Sequence, residues 1–361
     1  IIVSLVGSEM CIRDRPHDEE EDNTTSSNDS GYDIYLNENW DSGIGGGLWT
    51  TGSALAKYFT TSPHFLQQIK RIMQFNSKKR QNNNNNRRRP LRVLELGSGN
   101  GFLSVCLVVA VAVATANMNN NDDENENNNE NNLNNNNENK LNNNNDVNLN
   151  WPGIEIVVTD TKEHLQLMKD TIDSNLKRIL PQILERSRNY ASSSSSSSSS
   201  ADFSYDIQNI ACVKEYLWGN KDYDFSNNRT TTVSSTDTND VSSSEDDTYN
   251  ISNTNTNKDN HFDLIIGSDV AYRDYLHEPL IDALKEFSSR SSSSNSSTII
   301  PTVSLIGITM NDTKPIFFQK LIQAGFQYEK LAEHLFDTEY NTCSRQFGIF
   351  AITRTRSGTV D

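Results

Sequence analysis

The chain has 361 residues, a formal charge of −16 and only 34% apolar residues, so packed domains, which run at roughly 45–50% apolar, cannot fill its length. The deficit lies in tracts of Asn, Ser, Asp and Thr that bury too little apolar surface to offset chain entropy; without them about 210 residues remain, enough for one domain with a sizeable core. The acidic balance argues against a nucleic-acid partner, and the longest apolar stretch, residues 102–116, is too short to span a bilayer.

In chain order, residues 3–15 (VSLVGSEMCIRDR) resemble the translation of a sequencing adapter. They are set aside with the acidic polar stretch that follows, so that residues 1–30 are expected to be disordered and the true start of the protein to be missing. Residues 32–75 carry aromatics and a helical pattern. Residues 91–96 (LRVLEL) read as an apolar strand that runs straight into a Gly-rich turn and then a buried helix from residue 102. Residues 155–159 (EIVVT) form a second strand ending at Asp160, followed by a helical stripe of Leu165, Met168, Ile172, Leu176 and Ile179. Residues 207–213 are a candidate third strand and 262–267 (FDLIIG) a fourth, trailed by the stripe Leu276, Leu280, Ile281, Leu284 and Phe287. Residues 303–309 make a fifth strand, 315–324 a helix, and 326–334 with 347–353 a closing strand pair.

Strands alternating with helices imply right-handed crossovers and a sheet covered on both faces. The expected fold is therefore α/β: a Rossmann-like doubly wound sheet, mainly parallel, with an antiparallel terminal strand pair. The low-complexity tracts all fall between elements, where insertions cost little closure entropy. That supports a single domain over residues 31–356 with disordered insertions at about 78–89, 117–150, 190–202, 220–260 and 288–298. The cysteines, Cys11, Cys106, Cys212 and Cys343, form no CxxC pair or metal-type cluster. They read as reduced thiols of a cytoplasmic protein, with the nucleus as a second compartment.

The strongest site signal is Glu95-Leu96-Gly97-Ser98-Gly99-Asn100-Gly101, after a strand and before a helix. Such a loop lets backbone approach a ligand without a Cβ, beside the free N–H groups of the next helix. A plain tight turn has the same composition. Asp160, at the end of the second strand, suits two ribose hydroxyls, or an N-cap for the following helix. Its distance from Gly101 becomes that of an ordinary βαβ unit once the Asn tract is removed. His164, His261, His277 and His334 are scattered and read as structural or exposed.

The ELGSGNG stretch is similar to the first motif of the seven-β-strand (class I) methyltransferases that use S-adenosylmethionine. Within them the chain resembles the lysine-methyltransferase-like group called methyltransferase family 16. Three more matches carry this: Gly47-Leu48-Trp49-Thr50 with Gly52, Leu55 and Ala56; Leu217-Trp218-Gly219 after the third strand; and Asp269-Val270-Ala271-Tyr272 after the fourth, as D-x-x-Y. The resemblance spans residues 40–354, insertions apart, and departs at Asn100, where many relatives have Thr or another small polar residue. It implies S-adenosylmethionine as cofactor and a protein lysine as acceptor, with no metal. It gives cofactor-binding roles to Trp49, Glu95, Gly97, Ser98, Gly99, Gly101, Asp160, Trp218 and Ser268, and acceptor-side, catalytic roles to Asp269 and Tyr272. Packing accounts for Trp49 and Trp218 as well, and a helix cap and a core aromatic for Asp269 and Tyr272. A histidine, an arginine or a small molecule is the alternative acceptor, and a non-catalytic cofactor-binding module the alternative function. Base methylation would want a (D/N)PP(Y/F) motif where Asp269–Tyr272 stands, and a nicotinamide oxidoreductase would want G-x-G-x-x-G/A. A monomer with a protein substrate and no membrane contact is expected.

Overall fold

The computed structural model describes residues 2–6, 9–13, 32–36, 41, 44–81, 90–121, 153–191, 207–219, 261–288, 301–310, 313–331 and 347–355. Seven strands make the main sheet: β4 (Leu91–Leu96), β5 (Ile154–Asp160), β6 (Ala211–Glu215), β7 (Leu264–Ser268), β8 (Val303–Thr309), β9 (Phe326–Lys330) and β10 (Phe347–Arg354). Their spatial order is β6-β5-β4-β7-β8-β10-β9. The pairs β4–β5, β5–β6, β4–β7 and β7–β8 are parallel, and β10 runs antiparallel to both β8 and β9. One reversed strand next to the edge thus accounts for the expected antiparallel terminal pair. The strand order reverses on either side of β4, and ligands of open α/β sheets bind at the carboxyl ends of strands beside such a switch point.

The central strands are apolar on both faces, as a doubly covered sheet requires. One face is packed by α1 (Thr50–Thr61), α2 (Pro63–Gln81), α3 (Phe102–Asn121), α4 (Leu165–Ala191) and the single turn α5 (Ile207–Ile210). The other is packed by α6 (Asp274–Phe287) and α7 (Ile316–Gln323). Helix α3 is apolar all round because it is sunk between the sheet, α1 and α4. Cys106 is buried on α3 and Cys212 is half-buried on β6.

Several elements differ from the sequence expectations. Residues 207–210 are helical and β6 begins only at Ala211; a short apolar run gives no period to separate one turn of helix from a strand. Helices α2, α3 and α4 run to Gln81, Asn121 and Ala191, some residues into the tracts assigned to insertions. Extending a formed helix adds one hydrogen bond per residue fixed, and polar residues do not prevent it. Tyr32–Tyr35 is a strand, β3, rather than part of a helical segment. It pairs with β1 (Ile2–Val6), which also pairs with β2 (Glu9–Arg13), both inside the stretch expected to be disordered. Short β-branched runs such as IVSLV form strands when a partner edge is available. Strand β3 is anchored on α4: Tyr35 N–H donates to Asn175 Oδ1 (2.8 Å), Asn175 Nδ2 donates to the Tyr35 carbonyl (2.8 Å), and Arg178 stacks on the Tyr35 ring at 4.4 Å. Residues 14–31, the rest of the insertion tracts and residues 332–334 of the expected closing strand pair lie outside the described residues.

Candidate functional site

A cleft of about 890 Å³ opens at the carboxyl ends of β4, β5, β6 and β7, within the range of small-molecule and cofactor sites. Its floor is the loop after β4. Gly97 and Gly99 have φ of 64° and 66°, a region that side chains resist. A Cβ on Gly97 would lie 2.9 Å from Val270 and 3.0 Å from the Trp218 ring, and one on Gly99 would lie 2.3 Å from the Gly45 carbonyl oxygen. The loop is therefore glycine because other backbone and an indole press on it. Ser98 N–H donates to the Thr159 carbonyl at 3.0 Å, locking the loop to β5. The Ser98 hydroxyl is buried beside the Glu95 carboxyl group.

Asp160 closes one side. Its Oδ2 accepts the Gly99 N–H at 2.7 Å, and its Oδ1 accepts the Thr161 N–H at 2.6 Å and faces His164 Nδ1 at 2.8 Å. It does not cap α4: the helical turn Lys162–His164 that precedes α4 has Thr161 at its N-cap, without a side-chain cap bond. The carboxylate is tied to the glycine loop instead.

The opposite side comes from the chain before α1. A short turn, Ile44–Gly46, leads through Gly47 and Leu48 to Trp49 at the N-cap of α1. Asn100 fastens this strap: its Nδ2 donates to the Gly47 carbonyl at 3.3 Å while its Oδ1 accepts the Phe102 N–H at 3.1 Å, at the start of α3. The small residues of Thr50–Ala56 let α1 approach the strand ends. A Cβ on Gly52 would come 3.2 Å from Ser268 Oγ, and one on Gly307 of β8 would come 2.8 Å from Thr51.

Asp269 stands where β7 ends, with φ of 51°, a left-handed conformation that Asp tolerates better than most residues. Its backbone N–H donates to the Gly307 carbonyl at 2.9 Å. Its Oδ2 accepts from Thr51 Oγ1 (2.7 Å), and its Oδ1 accepts from Thr309 N–H (3.0 Å) and Thr309 Oγ1 (2.6 Å). The carboxylate thus binds α1, β7 and β8 together at the cleft wall. Below the turn, Ala271 O accepts from Thr313 Oγ1 at 3.0 Å and faces His277 Nε2 at 3.0 Å, so His277 is structural as expected. Tyr272 lines the cleft under Arg273, whose guanidinium lies 5.6 Å from its ring. Burial raises the Tyr272 phenol pKa, with Tyr275 and Asp160 adding to the rise and Arg273 opposing it.

The cleft brings together Trp49, Gly97, Ser98, Gly99, Asp160, Trp218, Ser268, Asp269 and Tyr272. Glu95 and Gly101 do not line it. Glu95 is buried under the loop, where it accepts the Ser104 hydroxyl of α3. Burial pushes its pKa up to about 7, against the opposing effect of Ser104. Gly101 faces α4, with a Cβ there 3.2 Å from the Met168 carbonyl oxygen and 3.3 Å from Ile172. Both support the loop from below, since the strand's alternation turns Glu95 away from the ligand side. Sequence reasoning missed Thr51, Thr309 and His164; for His164 the four-residue step from Asp160 to the first turn of a helix was the available signal. Among the described residues no group of three or more His, Cys, Asp or Glu side chains is placed to hold a metal, and no helix is long and apolar enough to cross a membrane.

A seven-strand sheet with a single reversed strand, a glycine loop after its first strand and an acid after its second define the class I methyltransferase fold. Residues 28–153 match the family model described as Lysine methyltransferase, the family that the chain's motifs resemble. That match takes in the strap, α1, β4, the glycine loop and α3; Asp160, Trp218, Asp269 and Tyr272 lie beyond it. A search of curated proteins returns no match. Among solved structures the chain is similar to an O-methyltransferase family protein from Burkholderia thailandensis, at 10% identity and a TM-score of 0.34, over 85% of this chain and 59% of that one.

Proposed function

We propose that the protein is an S-adenosylmethionine-dependent methyltransferase whose acceptor is the side-chain nitrogen of a protein lysine. The observation that carries the cofactor reading is the cradle at the switch point, where a glycine loop and the Asp160 carboxylate are joined by the Gly99 bond at 2.7 Å. The residues fit such a cofactor. The glycine loop, Ser98 and Asp160 line the cleft where a ribose and its chain would lie, and Trp218 lies over Gly97 where a flat ring system can stack. The lysine reading rests on the family match and on the wall opposite.

When bound, the cofactor supplies a methyl group on a sulfonium. Transfer would form one N–C bond as one S–C bond broke, with its electron pair left on sulfur, so the part left to the protein's residues is to align the acceptor. A lysine ammonium, with an ordinary pKa of about 10.4, must first shed a proton, and a partly dry channel favours that loss. Asp269, held by Thr51 and Thr309, orients the amine. Tyr272 remains a neutral phenol and offers its ring face to a cation.

Two measurements test this. Calorimetric titration with S-adenosylhomocysteine should give binding that Asp160→Ala weakens by roughly 10–100-fold, the loss of a charge-assisted hydrogen bond. Tritiated S-adenosylmethionine with a fractionated extract should label protein, with mass spectrometry placing the methyl on lysine. Absence of binding removes the cofactor reading; label on histidine, arginine or small molecules removes the lysine reading alone.

A further inference from the structure

His164 belongs to none of the motifs above, yet it joins three parts of the cleft. It lines the cleft and is almost wholly buried. Its Nδ1 lies 2.8 Å from Asp160 Oδ1, and the other oxygen of that carboxylate receives the Gly99 N–H at 2.7 Å. The ring's edge is pressed against the strap: a Cβ on Gly45 would stand 2.6 Å from His164 Cε1 and 2.8 Å from Nε2. Gly45 in turn sets its carbonyl against Gly99. His164, Asp160, Gly99 and Gly45 therefore form a closed circuit of contacts running from the head of α4 through the glycine loop to the strap and back.

We propose that His164 is a positioning residue that fixes the Asp160 carboxylate toward the glycine loop and couples its orientation to closure of the residue 44–49 strap. The inference rests on the cofactor reading above for its consequence, but not for its geometry. An acceptor-only carboxylate facing Nδ1 requires the proton on that nitrogen, so the imidazole donates to Asp160 and its remaining edge is what Gly45 abuts. A side chain at residue 45 would push the ring off the carboxylate, and loss of the ring would free both the carboxylate and the strap.

The test uses the full chain with His164→Leu, His164→Asn, Gly45→Ala, His164→Ala and the double variant Gly45→Ala with His164→Ala, with a melting curve for each to establish folding. The first readout needs no cofactor: hydrogen exchange at the Gly99 amide by NMR. The second is S-adenosylhomocysteine affinity by calorimetry. His164→Leu should speed Gly99 exchange and weaken affinity by roughly 10-fold, the scale of one charge-assisted bond. His164→Asn, whose amide nitrogen can take the place of Nδ1, should restore most of both. Gly45→Ala should weaken affinity in the parent chain and do little in the His164→Ala background, the non-additivity expected of residues in contact. Equal behaviour of the Asn and Leu variants, or a Gly45→Ala effect that is the same in both backgrounds, overturns the proposal. A parent chain that binds no S-adenosylhomocysteine overturns the cofactor reading, while Gly99 exchange still decides the role of His164.

Discussion

A carboxyl group as deeply buried as Glu95 meets water only when the chain unfolds, so the fold favours its neutral form. With a pKa of about 7 in the fold, against an ordinary value near 4.5, Glu95 binds its proton more tightly folded than unfolded. The stability this contributes is complete below the ordinary glutamate range and is lost as pH rises through about 7. Glu95→Gln, which keeps shape and polarity without the charge, should be the more stable protein at pH 8, by at most about 3 kcal/mol. The gap should close or invert at pH 5. Denaturant titrations at the two pH values measure it, and a gap independent of pH would mean that Glu95 is not held protonated. Gly99 gives the complementary case. Gly99→Val forces a branched side chain into a left-handed backbone and against the Gly45 carbonyl, 2.3 Å from its Cβ. A folded variant should bind S-adenosylhomocysteine at least 100-fold more weakly, the scale of roughly 3 kcal/mol, and undiminished affinity would take the loop out of the site. At this scale the sequence shows which residues belong to a motif but not which way they face: Glu95 and Gly101 share the ELGSGNG run, yet both point away from the cleft. His164 stayed hidden because its only signal was the four-residue step from Asp160, a spacing that any helical turn repeats.

At the scale of elements, the strands and helices with a strong period were all legible: LRVLEL, EIVVT and the two helical stripes sit where their patterns put them. Boundaries were not, because they depend on what the neighbouring element supplies. Ile207–Ile210 winds as a turn before β6, and Tyr32–Tyr35 extends because α4 offers Asn175 and Arg178 to hold it. The D-x-x-Y corner is the clearest case of an element-level function hidden in a site motif. Asp269 ties the start of α1 to the ends of β7 and β8 through Thr51 and Thr309. Thr51→Val, near in shape, deletes one donor to that carboxylate and should lower stability by about 1–2 kcal/mol. It should also loosen the wall that carries Ser268. Asp269→Asn should be the harsher change, because an amide offers one acceptor where the carboxylate takes three donors. It should lower methyl transfer in single-turnover assays far more than it lowers S-adenosylhomocysteine affinity. Tyr272→Phe should retain affinity and lose part of the transfer rate. Full transfer in both variants would reduce the corner to a structural clasp.

At the scale of the whole molecule, one sheet and its two helical layers account for every described strand and α-helix except the small sheet of β1, β2 and β3. The chain's length is therefore set by the connections. Residues 122–145 hold two apolar residues, Leu133 and Leu141; residues 192–200 are all Ser; residues 226–257 hold Val233, Val241, Tyr249 and Ile251. All three runs lie outside the described residues. Closure entropy grows only as the logarithm of loop length, about 0.6 kcal/mol per doubling, which is why a sheet with parallel crossovers can carry them. Replacing each run by roughly eight Gly/Ser residues, a flexible linker of modest reach, should therefore leave folding intact and stabilise the domain slightly, by about 1 kcal/mol per long run removed. The measurements are a thermal melt and an S-adenosylhomocysteine titration of the shortened chain. A single cooperative transition at or above the parent temperature, with affinity within about threefold, a difference well under 1 kcal/mol, is expected, since the described cleft residues come from the strand ends, the strap and the helices that pack on the sheet. A shortened chain that precipitates or melts without cooperativity would show that one run contributes packing to the core, and a cooperative chain that has lost affinity would place one run at the cofactor cleft.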